Sequence, residues 1–199
     1  MVNQINIRSL SFDTSFLLKN DKIVDDIIKL LKKDKVQCYI TSTVVSELEQ
    51  LKIWGRITQD EYIHAIKRWK NTHATVIDFP NRFLSDGFGK VCIKSMEKHH
   101  GVKPNNIVND CNILVTSLKN GVDIFLSEDF HFTSRITKNV IDEVSNTACK
   151  EFHMMCKSFL YNIDSKTFLK SYKDKKIDID VIEKEMKFIK KSEKRYLNK

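Results

Sequence analysis

Residues 106–132 read NIVNDCNILVTSLKNGVDIFLSEDFHF, and this stretch decides the fold. Apolar residues recur in it every three or four positions, at Ile107, Cys111, Leu114 and Leu118. That spacing gives one apolar face and predicts a helix from Asn106 to about Lys119. The Asn120-Gly121 pair supplies the left-handed residue that commonly ends a helix, and residues 122–126 then have the length and composition of a buried strand. The stretch therefore predicts a helix that leads directly into a strand.

The same alternation of strand and helix extends back through the first part of the chain. Short apolar runs predict strands at Ile7–Phe12, Val36–Ile40 and Thr75–Phe79, in addition to the strand over 122–126. Helical patterns separate these runs. Strands that alternate with helices favour an α/β fold, here a three-layer α/β/α sandwich with a central, mainly parallel sheet.

Two segments depart from this alternation. Residues 81–90 contain the sequence Asp-Gly-Phe-Gly and predict a loop, followed by a short helix over 91–100. Beyond Arg135 the sequence shows only helical patterns. We therefore expect an α/β domain over residues 1–135 and a helical, lysine-rich C-terminal extension over residues 136–199.

The composition argues against several classes of protein. The five cysteines are scattered and form no C-x-x-C pair, so they indicate neither a disulfide framework nor a zinc site. No apolar run approaches the roughly 18 residues of a membrane-spanning helix, and no signal-peptide pattern opens the sequence. Only five glycines are present, and they form no P-loop or Rossmann motif. We therefore expect a cytoplasmic protein without a membrane partner.

The net charge of +8 suits a polyanionic partner such as RNA. Most of the excess lies at the C-terminal end, where residues 166–199 hold twelve Lys or Arg against six Asp or Glu. If this segment binds RNA, the phosphate contacts come from Lys187, Lys190, Lys191, Lys194 and Arg195. The alternative is that these lysines form the solvated face of a helix.

Four carboxylates stand where the predicted topology brings strand ends and helix starts together. Asp13 ends the first strand, Glu47 lies just after the second, and Asp129 directly follows the last strand. Asp110 lies in the opening turns of the helix that begins at residue 106, beside its apolar stripe. In right-handed β-α-β units these positions share one edge of the sheet, where open α/β sheets bind ligands.

A cluster of four carboxylates is unfavourable unless protons or cations reduce its charge. Two unit charges about 4 Å apart repel by roughly 4 kcal/mol at an effective dielectric constant near 20. An all-oxygen set of ligands suits Mg²⁺ or Mn²⁺, and such a metal activates water for attack on a phosphodiester. The pattern therefore predicts phosphodiester hydrolysis, although each acid alone has an ordinary alternative role in capping a turn or a helix.

The same residues resemble the motifs of PIN-domain nucleases. The resemblance spans residues 7–132 and rests on SFDTS at 11–15, STVVSE at 42–47, ND at 109–110 and LSEDF at 126–130. The acidic positions of the family are matched by Asp13, Glu47, Asp110 and Asp129. Ser127 matches the Ser or Thr two residues before the last acid, and Thr14 is a supporting residue beside Asp13. Many members carry a further acid two or three residues after the last aspartate, where this chain has His131 and Phe132.

The resemblance implies a PIN-like sandwich and a Mg²⁺- or Mn²⁺-dependent endoribonuclease, a hydrolase acting on RNA. In that activity Asp13, Asp110 and Asp129 bind the metal, and Glu47 completes the site or orients water. The resemblance also implies a relation to the toxins of VapBC-type toxin–antitoxin pairs, and thereby an antitoxin protein as partner. An RNA-processing enzyme is the other interpretation.

A function of another class stays open beside the nuclease. A non-catalytic RNA-binding or interaction module would keep the PIN-like fold, use the basic tail and need no metal. A phosphotransferase of the haloacid-dehalogenase type is disfavoured, because Ser15 stands where that chemistry needs a second aspartate.

An apolar stripe, three further acids and one histidine also carry expectations. The stripe suits either the core or the interface of a homodimer, and it consists of Val144, Ala148, Phe152, Met155 and Phe159. Asp123, Glu128 and Glu49 break register with the four acids, so we expect them to be solvated. His131 is interpreted as a surface histidine, with contact to phosphate or water as its alternative role.

Overall fold

The computed structural model describes residues 3–79, 82–101, 103–104, 107–151 and 160–186. Within these ranges the helices are α1 (Thr14–Leu18), α2 (Lys22–Asp34), α3 (Ser42–Ile53), α4 (Gln59–Asn71), α5 (Arg82–His100), α6 (Val108–Lys119), α7 (Phe130–Thr133), α8 (Arg135–Glu151) and α9 (Ser165–Ser171). The strands are β1 (Gln4–Asn6), β2 (Ser9–Phe12), β3 (Gln37–Thr41), β4 (Thr75–Ile77), β5 (Ile124–Leu126), β6 (Tyr161–Ile163), β7 (Tyr172–Lys173) and β8 (Lys176–Asp178).

The central sheet has five strands in the order β4-β3-β2-β5-β6, and every neighbouring pair is parallel. Helices flank this sheet, an arrangement compatible with a three-layer α/β/α sandwich. The strand order reverses at β2, because β3 and β4 lie on one side of it and β5 and β6 on the other. The α/β fold with a parallel sheet that the sequence predicts is therefore confirmed at this level.

The middle of the sheet is covered on both faces. Every residue of β2 and of β5 is buried, as expected when helices pack on both sides of a parallel sheet. Two aromatic pairs join these strands to the helices that follow them. Phe12 stacks on Phe16 of α1 with ring centroids 5.6 Å apart, and Phe125 contacts Phe132 of α7 at 5.0 Å. Strands β2 and β5 are thus held firmly at the ends where the candidate site lies.

Local sequence signals account for several helix ends. The Thr41 side chain caps α3, and Thr58 and Glu61 form a capping box at the start of α4. Helix α6 ends at Lys119, and Gly121 follows with φ of 69°. A left-handed backbone here suits glycine, because a side chain in this region of φ is strained. The predicted helix–glycine–strand order of this stretch is confirmed.

The predicted loop over residues 81–90 is wrong, because helix α5 begins at Arg82 and includes the Asp-Gly-Phe-Gly sequence. Tertiary packing explains the helix. Phe88 is buried, and a Cβ on Gly89 would lie 3.5 Å from Oδ1 of Asn112 on α6. Such a separation is an ordinary van der Waals contact, so Gly89 lies inside a helix that packs against α6 and does not mark a turn.

The expectation of a purely helical C-terminal extension is also wrong. Strand β6 pairs in parallel with β5 and forms an edge of the central sheet, while β7 and β8 pair antiparallel and β8 pairs with β1 near the N-terminus. The sequence concealed these strands because each has two or three residues, too few for a period to be recognised. In β6 the polar Asn162 also interrupts the apolar run. The domain boundary at residue 135 stays a prediction. Strand β6 lies beyond that residue and nevertheless pairs with a strand of the central sheet.

Several expectations concern residues outside the described ranges. Lys187, Lys190, Lys191, Lys194 and Arg195 all lie there, as do the stripe residues Phe152, Met155 and Phe159. From the same stripe, Val144 is buried. Within the described residues, no helix has both the length and the apolar character needed to cross a membrane.

Candidate functional site

The candidate site lies where the strand order of the sheet reverses. Phe12 of β2 is in register with Leu126 of β5 and with Ile40 of β3. The residues that follow these three strands therefore lie in the same region. The backbone N–H of Asp13, for example, donates to the carbonyl of Leu126 at 2.9 Å. A crevice at the carboxyl ends of the strands, at such a reversal, is where open α/β sheets bind ligands.

Asp13 is the most buried of the four predicted acids, with 4% of its surface exposed. It is the N-cap of α1, and its Oδ2 accepts hydrogen bonds from the hydroxyls of Ser15 at 2.5 Å and Ser127 at 2.8 Å. Burial raises the pKa of Asp13 to about 6, although the two hydroxyls oppose that rise and Glu47 adds to it. The carboxyl is therefore held rigidly in a place that disfavours its charge.

Ser127 links the ends of β2 and β5. Its hydroxyl is buried, donates to Asp13 and accepts the backbone N–H of Asp129 at 3.0 Å. Parallel register explains the first contact, because Asp13 and Ser127 follow paired residues of adjacent strands. One serine thus fixes the positions of two of the candidate acids.

Glu47 reaches the site from α3, which follows β3. Its Oε2 accepts a hydrogen bond of 2.5 Å from the hydroxyl of Thr14, the first residue of α1. This bond ties the helix after β3 to the helix after β2. The predicted supporting residue Thr14 therefore positions Glu47, while Ser15 and Ser127 position Asp13.

Asp110 shows the strongest electrostatic effect among these acids. It lies in the first turn of α6, partly buried, and its pKa is raised from 3.8 to about 7. Burial is the largest cause, followed by the charges of Asp129, Asp13 and Glu47, and each of these causes acts in the same direction. No described residue donates a hydrogen bond to its carboxylate, and no described cation offsets the repulsion. The four acids, from four separate segments, therefore lie within electrostatic range of one another.

Asp129 closes the site from the end of β5. It caps helix α7, and its Oδ1 accepts the backbone N–H of His131 at 2.8 Å. The Nδ1 atom of His131 lies 3.6 Å from the same oxygen. His131 is partly buried, with 39% of its side chain exposed, and it also contacts the ring of His100 at a centroid distance of 5.7 Å.

The arrangement of the four acids is not, as it stands, a metal-binding geometry. Among the described residues, no group of three or more His, Cys, Asp or Glu side chains is placed to hold a metal ion. Three of the acids are instead bonded to hydroxyl or backbone groups nearby. In its donor chemistry, however, the set fits a hard divalent cation, because its members are carboxylates and hydroxyls whose mutual repulsion a cation would relieve.

Two acids that the sequence suggests are solvated are in fact engaged. Asp123 is 3% exposed and accepts the backbone N–H groups of Arg8 at 2.8 Å and Ser9 at 2.9 Å. Glu128 forms an ion pair of 2.7 Å with Lys19 and accepts the N–H of Ser165. Both therefore hold the sheet and its flanking segments together. Glu49 is exposed, as the sequence predicts.

Sequence reasoning assigned no role to two residues near the site. Ser15 has a recognisable signal, because it stands two residues after the N-cap Asp13, within reach of its carboxylate. His100 has no such signal, since it comes from the end of α5. Burial and the neighbouring His131 lower the pKa of His100 to about 4, while Asp129 raises it slightly. At neutral pH His100 is therefore an uncharged ring at the border of the site.

Comparison with known proteins gives no independent assignment: no protein-family model matches this sequence, and no curated protein is significantly similar to it.

Proposed function

We propose that this protein is a Mg²⁺- or Mn²⁺-dependent endoribonuclease with a PIN-like fold, which hydrolyses RNA phosphodiester bonds at the four-carboxylate site. The observation that carries the proposal is the meeting of four carboxylates at the carboxyl ends of β2, β3 and β5, where their charges, together with burial, raise the pKa of Asp110 to about 7. A protein gains nothing in stability from such a cluster. A cluster of this kind at the reversal point of a parallel sheet is therefore a candidate for function.

Asp13, Asp110 and Asp129 are the proposed metal-binding residues. A divalent cation bound there supplies an activated water and stabilises the charge that develops on the leaving oxygen. Glu47 completes the ring of acids or orients the attacking water through its carboxylate. Hydrogen bonds hold Asp13 and Glu47 in fixed positions, and they come from the hydroxyls of Ser15, Ser127 and Thr14. These side chains therefore lose little conformational entropy when the site binds a metal and a substrate.

The substrate class in this proposal follows from the chemistry of the site and from the PIN-like motifs. Free carboxylates repel a phosphodiester, so RNA can approach only when the cluster has been neutralised by a cation. The relation to VapBC-type toxins, and with it an antitoxin partner, rests on the motifs alone. A role in RNA processing is a further proposal that rests on the motifs, and a homodimer is one that rests on the apolar stripe beginning at Val144.

A second candidate is a non-catalytic RNA-binding or interaction module that keeps the fold. One observation favours it: among the described residues, no three acidic, histidine or cysteine side chains are placed to hold a metal ion. This candidate predicts salt-dependent RNA binding that needs no divalent ion.

The test of the proposed function is Mn²⁺-dependent cleavage of RNA by the full chain and by the Asp110→Asn variant. We expect the wild type to cleave and the variant to lose at least a hundredfold in rate, because the amide removes a charged metal ligand. Asp60→Asn is the matched control. Asp60 and Asp110 each lie in the first turn of a helix, but Asp60 is exposed and lies on α4, outside the site. It should cleave like the wild type.

The same proteins distinguish the two candidates by calorimetry with MnCl₂. The nuclease proposal predicts binding of Mn²⁺ to the wild type and to Asp60→Asn, and much weaker binding to Asp110→Asn. Equal cleavage by all three proteins would refute the assigned site. Absence of both Mn²⁺ binding and cleavage in the wild type, with RNA binding retained, would establish the non-catalytic candidate instead.

A further inference from the structure

Phe130 is an exposed aromatic residue directly beside the carboxylate cluster. It follows Asp129 in the chain, begins helix α7, and keeps 42% of its surface exposed. Exposure alone does not distinguish Phe130, because six other large apolar side chains among the described residues are also exposed, but Phe130 is the one that directly follows a proposed metal ligand. Because Phe130 lies next to a proposed metal ligand, any molecule that contacts its ring also lies close to the carboxylate cluster.

The ring of Phe130 belongs to a continuous row of rings that leads inward. Phe130 meets the ring of His131 at a centroid distance of 6.5 Å and an interplanar angle of 61°. His131 in turn meets His100 edge to face, at 5.7 Å and 87°. The Nε2 atom of His100 lies 3.1 Å from the hydroxyl of Thr137, which anchors this inner ring to α8. The rings next to Phe130 are therefore themselves held in place by contacts with α5 and α8.

The backbone that carries Phe130 is also fixed. Asp129 accepts the N–H groups of His131 and Thr133, and the carbonyl of Phe130 accepts the N–H of Ser134 at 3.1 Å. The hydroxyl of Thr137 donates to the carbonyl of His131. An aromatic ring on such a backbone loses little further conformational entropy when it binds a flat partner.

We infer that Phe130 is a base-stacking residue, which takes an unpaired RNA base beside the phosphodiester held at the carboxylate cluster. The inference rests on the proposed function for the identity of the substrate. The Cα atoms of consecutive residues lie about 3.8 Å apart, so the backbone that carries the Phe130 ring is within the span of one nucleotide from Asp129, and the base attached to a phosphate bound there can reach the ring. In a duplex the base is already stacked on its neighbours and is not accessible to the ring.

Stacking on Phe130 makes the enzyme selective in two ways. It directs cleavage to single-stranded segments, and it favours purines, which offer the larger stacking surface. Hydrogen bonding to base edges is not required for this preference, because every base has a face that can stack. Phe130 is thus a specificity-determining residue, and the metal ligands remain intact when it is replaced.

The test compares the wild type with Phe130→Leu, which keeps an apolar side chain, and Phe130→Tyr, which keeps the ring. Cleavage with Mn²⁺ and binding by fluorescence anisotropy are measured on single-stranded oligoadenylate and oligouridylate, and on oligoadenylate annealed to its complement. Phe130→Leu should raise KM for oligoadenylate by roughly fivefold to a hundredfold. It should change kcat little and reduce the preference for oligoadenylate over oligouridylate, while Phe130→Tyr should resemble the wild type.

Leu169→Ala is the control for loss of an exposed apolar side chain, because Leu169 is 39% exposed on α9 and belongs to no part of the site. Unchanged KM and affinity in Phe130→Leu would overturn the stacking role and leave the proposed nuclease standing. Equal losses in the Leu and Tyr variants would also overturn it, since they would indicate a structural role for the residue. If the wild type binds in a Phe130-dependent manner but does not cleave, the stacking role holds and the proposed function fails.

Discussion

Replacement of Asp110 by asparagine should stabilise the protein at neutral pH. The wild-type carboxylate is partly buried and faces the charges of Asp129, Asp13 and Glu47, and these causes together raise its pKa from 3.8 to about 7. Asparagine has nearly the same shape and no charge. The variant therefore escapes the cost of ionising this group inside the cluster.

The magnitude follows from the pKa shift. A rise from 3.8 to about 7 corresponds to roughly 4 kcal/mol, at about 1.4 kcal/mol for each pKa unit. Residual contact of Asp110 with solvent screens part of the repulsion, so we expect the variant to gain about 1 to 3 kcal/mol in free energy of unfolding. Most replacements of a native residue destabilise, which makes a gain of this size diagnostic.

The gain should depend on pH in a defined window. Because the folded state holds the Asp110 proton more tightly than the unfolded state does, this group favours folding most below about pH 4. Its contribution is lost as the pH rises from there through about 7. Asp110→Asn and the wild type should thus have equal stability near pH 4, and the variant should be the more stable above pH 7. Urea unfolding across this range measures the difference directly, with Asp60→Asn as control.

Divalent metal should reduce the difference in stability between the two proteins. At a concentration tenfold above its dissociation constant, Mn²⁺ stabilises a protein that binds it by about 1.4 kcal/mol. The wild type should gain this amount and the variant much less. A variant that is no more stable than the wild type at any pH would refute the reasoning, because it would mean that the four carboxylates do not repel one another in the folded protein.

Two further predictions concern the groups that hold the sheet and its helices together. Arg68 is buried, forms a bidentate ion pair with Asp25 and donates to the carbonyl oxygens of Leu17 and Lys19, so Arg68→Met should cost about 2 to 4 kcal/mol. Asp123→Ala leaves the backbone N–H groups of Arg8 and Ser9 without their acceptor, that of Ser9 being buried, and should also cost about 2 to 4 kcal/mol. Urea unfolding at pH 7 tests both, and a loss below about 0.5 kcal/mol, as for an ordinary surface change, would contradict either prediction.

The position of the four acids could be read from the sequence because it depends on local order. Each acid comes just after an apolar run or in the first two turns of a helix, and parallel topology places those points at one edge of a sheet. Such inferences need only the periodicity of the chain and the handedness of its connections. Ser127 was expected as a supporting residue only from the resemblance to PIN-domain nucleases, in which a Ser or Thr stands two residues before the last acid.

The errors arose where distant contacts override local pattern. Gly89 reads as a turn, and it is helical in α5, which packs against α6 near Asn112. Asp123 reads as a solvated acid, and it is buried because the backbone N–H groups of residues 8 and 9 require an acceptor. In both cases the partner lies more than twenty residues away, so no local signal records it.

The sequence by itself determined the class of fold, the helix–glycine–strand order around residue 121 and the set of acids that face one edge, because these depend on spacing and turn chemistry within short windows. Only the tertiary structure decided that β6 extends the sheet, that Ser15 and Ser127 share one oxygen of Asp13, and that His100 lies beside His131. Those contacts join residues separated by thirty or more positions, with the exception of Ser15. Their free energy comes from packing and from satisfying buried polar groups, and neither leaves a periodic mark on the chain.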